Sequence, residues 1–357
     1  MGLLGNMAKI ILSGHTAGQK LNYLKYRLSR KSQRLGYDPV NISIVSTGRC
    51  TLSCDMCPTH SKVVPKDYPH LQKVSRDMDF DTFKKVIDRF RNALSVHIIG
   101  SGEPMLNKDF FKMVDYGAGK KMSVKTFSNG TTIKDNIGNL LRSKLNSITI
   151  SINGHNAEEF ERMTGMNRQV YRDICASTKK LVEEKNISRP SLKVNVSHVI
   201  DKLNYKAIPE MIKISVGLGA DTILLCNFLS CPYDGLTADE RVLEADETLI
   251  KELQSMKSGL PDGIIKRIAF PKPIDKKLFR NRCDSHFMQI RVDGDGNMSS
   301  CSMMLLGVAG TGRYDDTGAW NNDFFMRMRK SFLSDDEVAL PEPCRVCPDN
   351  RGVKVGG

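Results

Sequence analysis

From residue 41 to residue 226 the chain alternates short apolar runs with longer amphipathic ones, a rhythm that few folds accept. Strands are expected at 41–47, 95–100, 122–127, 147–152, 192–199 and 222–226. Helices are expected between them at 80–92, 108–119, 133–143, 168–185 and 207–216, with one more at 239–257. Phe80, Phe83, Val86, Ile87 and Phe90 recur every three or four residues, as one face of a helix does. Ile148, Ile150 and Ile152 alternate with Thr149, Ser151 and Asn153, as the two faces of a strand do. Six strand-then-helix steps build a parallel sheet, either doubly wound or curled into a barrel. The apolar strand face should meet the helices. The polar face should meet a cavity, which suits a ligand-filled partial barrel better than a packed one.

A chain of 357 residues has room for one large domain and a small one. Four segments are expected: a basic helical extension at 1–40, the βα region at 41–230, a helix and linker at 231–282, and a cysteine-rich domain at 283–357. Pro261, Pro271 and Pro273 mark the linker. No run of about 18 apolar residues is present, so no membrane-spanning helix is expected. Asn6 stands where a myristoylation signal needs Ser or Thr. The apolar run at Ile10-Ile11-Leu12 is too short for a secretory signal, and a cytoplasmic location is expected. Net charge is +13, and Lys20, Lys25, Arg27, Arg30, Lys31 and Arg34 crowd the first segment. Such a run ordinarily faces water. The sharper readings are peripheral contact with an anionic membrane surface or a phosphorylated substrate. Nucleic acid is not expected, because neither zinc-finger spacing nor an RNP-type aromatic motif occurs.

Ten cysteines in a chain of this kind read as metal ligands before disulfides. Cys50, Cys54 and Cys57 follow the first strand in C-x3-C-x2-C spacing. Three thiolates on a four-iron cluster leave one iron open, and an open metal position is what catalysis needs. A structural zinc site would want a fourth ligand, for which only His60 is near. Cys283, Cys301, Cys344 and Cys347 suffice for a second cluster or a zinc ribbon. Between the first two of these, Asp293-Gly294-Asp295-Gly296 signals a hairpin joining 289–292 to 297–300. Cys175, beside Ile174 on a helix, reads as core. Cys226 ends the sixth strand and Cys231 follows it, at the edge that should face a substrate. A thiol there could return a hydrogen atom to a substrate radical. The bland alternative is burial or loop packing.

The trio is followed in order by Gly100-Ser101-Gly102-Glu103-Pro104, Ser128-Asn129-Gly130 and Ser151-Ile152-Asn153-Gly154, each at the end of a strand. Each motif is weak alone. Their order is specific and resembles the radical S-adenosylmethionine (SAM) superfamily over about residues 41–230. The resemblance implies an α/β partial (β/α)6 TIM-like barrel with ligands at the carboxyl ends of its strands. It implies that Gly100, Ser101, Gly102 and Glu103 take the SAM amino group, Ser101 standing where the family has Gly. Ser128, Asn129, Ser151 and Asn153 would serve the ribose, with Asn153 where Asp is commoner. Arg162 resembles an arginine that pairs with the SAM carboxylate. Met56 matches an adenine contact, with loop packing as its alternative, and Asn195 is a further candidate. The last four cysteines resemble the SPASM/twitch extension. Only ten residues follow Cys347, none of them Cys, so one auxiliary [4Fe–4S] cluster is expected.

The resemblance also implies a chemistry. The cofactors are SAM, the [4Fe–4S] cluster that cleaves it, and the auxiliary cluster, fed by a reductant such as flavodoxin or ferredoxin. Reductive cleavage of SAM gives a 5′-deoxyadenosyl radical that takes a hydrogen atom from a substrate carbon. Passing an electron to the auxiliary cluster gives an oxidised product. A hydrogen returned from Cys226 or Cys231 gives an epimer. A non-catalytic iron–sulfur or zinc-binding module is the reading from another class. Residues 1–40 are too few for an independent leader-binding domain, so a small molecule, sugar-like or phosphorylated, is expected over a peptide. A peptide-modifying maturase is the alternative.

Overall fold

The computed structural model describes residues 3–29, 31–62, 76–229, 238–279, 283–302, 311–334, 336–345 and 347–356. Helices α1 (Leu3–Ile11) and α2 (Ala17–Leu28) precede the first strand. The βα units then follow: β1 (Asn41–Val45), α3 (Phe80–Arg89), β2 (Ser95–Ile99), α4 (Phe110–Gly119), β3 (Ser123–Ser128) and α5 (Ile133–Arg142). Next come β4 (Ser147–Ser151), α6 (Ala157–Thr164), α7 (Arg168–Ser188), β5 (Lys193–Ile200), α8 (Ile208–Gly217) and β6 (Ile223–Asn227). Helix α9 (Glu247–Ser258) and the short β7 (Ile268–Ala269) lead to the cysteine-rich part. That part holds α10 (Ser285–Met288), β8 (Gln289–Val292), β9 (Met298–Ser299) and α11 (Asp323–Leu333).

One nine-stranded sheet runs β7-β6-β5-β4-β3-β2-β1-β8-β9. β1 to β6 pair in chain order and in parallel. A doubly wound sheet reverses its strand order partway; a barrel does not, so the unbroken order identifies a partial barrel. β8 pairs in parallel with the free edge of β1, Ser43 opposite Arg291, and folds back as a hairpin with β9. The cysteine-rich part is thereby joined to the barrel sheet itself.

The packing follows the alternation. Ile42, Ile44, Val96, Ile98, Val124, Ile148, Ile150, Val194 and Val196 are fully buried in the core beneath the helices. Ser43, His97, Lys125, Ser151 and Asn195, on the other face, are only half-buried. Burying an aliphatic side chain stabilises by about 1.5–3 kcal/mol, so a one-residue slip of any strand would be prohibitive. On α2 the buried residues are the amides Gln19 and Asn22, which donate to the carbonyls of Lys120 (2.9 Å) and Asp38 (3.1 Å). Lys25 and Arg27 point outward, Arg30 lies outside the described residues, and Lys31 pairs with Asp284 at 2.6 Å. No described helix is long and apolar enough to cross a membrane.

Three local expectations change. The helix expected at 239–257 is interrupted, because residues 243–245 pair with the strap through Ala245 N–H to Ile274 O (2.8 Å) and Ile274 N–H to Leu243 O (2.7 Å). Helices α6 and α11 were not expected. Each starts at an asparagine, Asn156 or Asn322, whose side chain accepts the N–H three residues on.

Candidate functional site

The loops after β1, β2, β3 and β4 meet at the carboxyl edge of the sheet. The cysteine loop is held from three sides. Ser101 N–H donates to Thr47 O (3.0 Å) and Glu103 N–H to Arg49 O (2.8 Å), so the β2 loop lies along it. Asp55 N–H donates to Met163 O (2.8 Å), which ties it to α6. Asn107 Nδ2 donates to Ser46 O (2.6 Å) beneath it. Close approach at Gly102 allows no side chain, since a Cβ there would collide with the Arg49 carbonyl.

The three thiols sit in one electrostatic neighbourhood. Burial, then the thiolates of Cys57 and Cys50, push Cys54 up to about 12. Burial likewise raises Cys50. Amide donors already point at the sulfurs: Thr59 and His60 N–H reach Cys57 Sγ at 3.4 and 3.3 Å, and Asn129 Nδ2 reaches Cys50 Sγ at 3.5 Å. Among the described residues no three ligating side chains stand at metal-bonding geometry, so the loop presents the trio without a preformed cage. His60 faces the Ser101 and Gly48 backbone instead.

The remaining motif residues divide. Glu103 is 0% exposed and spends its carboxylate internally. It accepts from Ser128 Oγ (3.0 Å), Asn129 N–H (2.7 Å), Met105 N–H (3.3 Å) and Thr132 Oγ1 (3.4 Å). Burial raises its pKa against these donors. Glu103 therefore clamps the β3 loop, and Ser128 and Asn129 are the clamped groups. Ser151 and Ser197 share a hydrogen bond of 3.1 Å, and Asn195 Nδ2 reaches Thr149 Oγ1 at 3.4 Å. Ser101 Oγ, Asn153 Oδ1 and His155 Nδ1 are buried with no partner. Three orphaned polar atoms around a cysteine trio, beside a glycine cradle, fit a polar ligand laid across these loop ends.

Two candidates already have partners within the protein. Arg162 is already paired, Nε and Nη2 reaching the Glu159 carboxylate at 2.8 and 2.6 Å. Met56 packs against the cluster of Phe228, Val242 and Ile274, as its loop-packing alternative holds. Sequence reasoning missed a buried ion network behind this loop. Arg241 Nη1 meets Asp55 Oδ2 at 3.2 Å, and its Nε meets the wholly buried Asp201 at 2.8 Å.

Cys283, Cys301, Cys344 and Cys347 line one cavity of about 450 Å³, together with Leu225, Cys226 and Asn227 of β6. Cys347 is pushed up to about 12 by burial, with the Cys283 and Cys301 thiolates adding to the rise. Burial lowers the pKa of Arg291, which is nine-tenths buried, and the charges of Cys301 and Asp293 oppose that shift. Four thiols lining one cavity are a donor set chemically suited to a cluster, and among the described residues they, like the first trio, do not stand at metal-bonding geometry. Cys226 has open surface on the cavity wall, and the surrounding protein raises its pKa. Cys231 lies outside the described residues. Cys175 packs against the core.

Comparison with known proteins supplies the context. The chain is 28% identical over 189 residues to the tungsten-containing aldehyde ferredoxin oxidoreductase cofactor-modifying protein of Pyrococcus furiosus, covering 51% of this chain and 50% of that one. It is 24% identical over 192 residues to the PqqA peptide cyclase of Bradyrhizobium diazoefficiens, covering 53% and 46%. The matches thus span about half the length of these relatives. The structure of Streptococcus suis SuiB bound to precursor peptide SuiA superposes with a TM-score of 0.64 at 16% identity, covering 96% of this chain and 81% of that one, which shows the shared fold. The expectation of a small molecule over a peptide is overturned by these relatives, a peptide cyclase among them. That expectation leaned on the shortness of residues 1–40, which does not bear on whether a peptide enters the barrel. The cofactors of the fold are SAM and its [4Fe–4S] cluster, with an auxiliary cluster in the SPASM/twitch type. Residues 44–214, just under half of the chain, match the model of the radical SAM superfamily and mark a radical SAM domain in it.

Proposed function

We propose that this enzyme modifies a peptide, acting on a side chain inserted between the loop ends of the barrel and the cysteine cavity. The cavity carries the reading: β6 and the four late cysteines share its wall, and about 450 Å³ lies within the range of ligand pockets. The PqqA peptide cyclase among the relatives supports a peptide. Cys50, Cys54 and Cys57 would hold the cluster that, with SAM, would supply the radical chemistry. The chain's own residues do the rest. Glu103 fixes Ser128 and Asn129, and Asn153 and His155 offer unspent polar atoms to the ligand. Cys283, Cys301, Cys344 and Cys347 would hold one auxiliary [4Fe–4S] cluster, an electron acceptor that favours an oxidised product.

The test uses extract of the native host grown in heavy water, separated by size. Deuterium should pass into 5′-deoxyadenosine from the peptide fraction, and broad-specificity peptidase should abolish the transfer. Transfer that survives peptidase sinks the reading.

A second reading is favoured by one observation. Cys226 presents its thiol on the cavity wall, its pKa raised by the protein packed around it, and the thiol is the form that carries a transferable hydrogen atom. Solvent deuterium fixed at the modified carbon, and lost in Cys226→Ala, would make the product an epimer. Product lighter by two hydrogens would make it an oxidation.

A further inference from the structure

His286 belongs to none of the motifs. Helix α10 carries it three residues after Cys283, and it lines the cavity together with all four cysteines. It is 0% exposed, and neither ring nitrogen has a hydrogen-bond partner. Its position is fixed from behind. The Phe332 ring lies 4.3 Å away centroid to centroid, and Arg329 Nε donates to the His286 carbonyl at 2.9 Å. Burial, with the Arg329 charge beside it, pushes its pKa down to about 3, so the ring is neutral. A neutral imidazole has one N–H and one lone pair. Here both are buried and unused, and an unmade buried hydrogen bond costs about 1–3 kcal/mol. Orphaned groups of this kind are rare unless something occupies the site they face.

The cavity gathers four cysteine sulfurs beside oxygen acceptors that include Asp349 and Asn350. We propose that His286 donates its ring N–H to a sulfur of the auxiliary cluster and thereby raises that cluster's reduction potential. This rests on reading Cys283, Cys301, Cys344 and Cys347 as iron–sulfur ligands. Reduction adds an electron to a group that is already anionic. A donor aimed at sulfur stabilises the more negative state, and hydrogen bonds to sulfur are among the factors that set such potentials. His286 thus makes the auxiliary site a better electron acceptor for chemistry in a cavity that Cys226 also lines. It is a positioning and tuning residue and touches no substrate.

The experiment removes the first cluster from full-length protein with Cys50→Ala, Cys54→Ala and Cys57→Ala together. On that background His286, His286→Phe and His286→Gln are reconstituted anaerobically. Phe keeps the packing on Phe332 without the N–H, and Gln restores a donor. Iron and sulfide should each count about four per chain, as one [4Fe–4S] cluster requires. Redox titration followed by electron paramagnetic resonance should place the midpoint lower in His286→Phe and return it toward the parent in His286→Gln. The parent should show an exchangeable proton coupling in heavy water that His286→Phe lacks. Bound iron with unchanged midpoints overturns the proposal and leaves the cluster reading intact. A strong directly bonded nitrogen coupling overturns it in favour of ligation by His286. A parent that binds zinc or no iron overturns the cluster reading, and this proposal with it. Should His286→Phe lose its cluster, the exchangeable coupling in the parent decides, and its absence overturns the proposal.

Discussion

Gly102→Ala should uncouple the SAM site from the cysteine loop. At Gly102 the β2 loop lies directly on the backbone of the loop that carries Cys50. An added Cβ would collide with the Arg49 carbonyl and stand 3.0 Å from the Cys50 nitrogen. Both neighbours are backbone, so no side chain can swing aside. Relief requires the loops to separate, which stretches Glu103 N–H to Arg49 O (2.8 Å) and Ser101 N–H to Thr47 O (3.0 Å). Such bonds contribute about 0.5–1.5 kcal/mol each, so losing both costs about 1–3 kcal/mol. Ligand binding must restore the close approach. The cost therefore appears as SAM affinity weaker by about 5- to 150-fold. Gly119→Ala is the matched control, because nothing lies within 4 Å of a Cβ there. The assay is anaerobic calorimetry of SAM binding to reconstituted protein, with iron and sulfide counted on the same samples. Gly102→Ala binding SAM as tightly as Gly119→Ala would refute the steric argument.

Three further outcomes are expected. Lys185 is 4% exposed and meets Asp221 at 2.9 Å, while Lys193 holds the same carboxylate at 3.1 Å from the surface. Lys185→Met should cost about 2–4 kcal/mol, less than a lone buried pair would, and adding Asp221→Asn should recover part of it; additive losses in denaturant midpoints would contradict the pairing. Arg241→Met leaves Asp201 buried without its ion pair and should cost about 3–5 kcal/mol. Because Arg241 also holds Asp55, iron content at the first site should fall as well, and an unchanged iron count would show that the network does not support the loop. Burial lowers His97 and His198 from 6.5 to about 4 in the folded chain. The unfolded chain therefore binds more protons below pH 6.5, so the stabilisation is complete above pH 6.5 and is lost as pH falls towards 4. Unfolding midpoints measured from pH 7 to 5 should drop, less steeply in His198→Gln, and parallel slopes would remove His198 from the account.

What was legible in the chain was local. Period two in Ile148, Ile150 and Ile152 and the three-to-four spacing in Phe83, Val86 and Ile87 are properties of single elements, so the βα rhythm could be read without tertiary information. The cysteine trio was legible for the same reason, since its ligands fall within one loop. Helix α6 was legible but unread. Asn156 followed by Glu159 is a capping pattern, and Gly165 in the left-handed conformation closes the helix at a φ of 70°. The omission mattered, because the carbonyl of Met163 at its end is one of the three ties on the cysteine loop.

The rest was illegible because its partners are far apart in sequence. Asp55, Asp201 and Arg241 meet across gaps that no periodicity spans, and each alone reads as an ordinary surface charge. Glu103 shows a second role that its own loop does not reveal. Its neighbours made it a ligand candidate, but the carboxylate faces inward, and what decides its role is the set of donors delivered by Ser128, Asn129 and Thr132 from the next strand. The same logic separates the two cysteine groups. The trio can be placed by its own loop, whereas the late four acquire meaning only when β8 pairs with β1 and carries Cys283 to a cavity whose far wall is β6. That long-range pairing is also what gives His286 its unpaired, buried position. Disrupting the β1–β8 seam, for instance by Val292→Pro, should therefore cost auxiliary-site iron before it costs the first site, because the six barrel strands keep their own order without it. Equal loss at both sites, read from site-selective iron counts on the two cysteine-deleted backgrounds, would mean that the barrel depends on β8 for its closure.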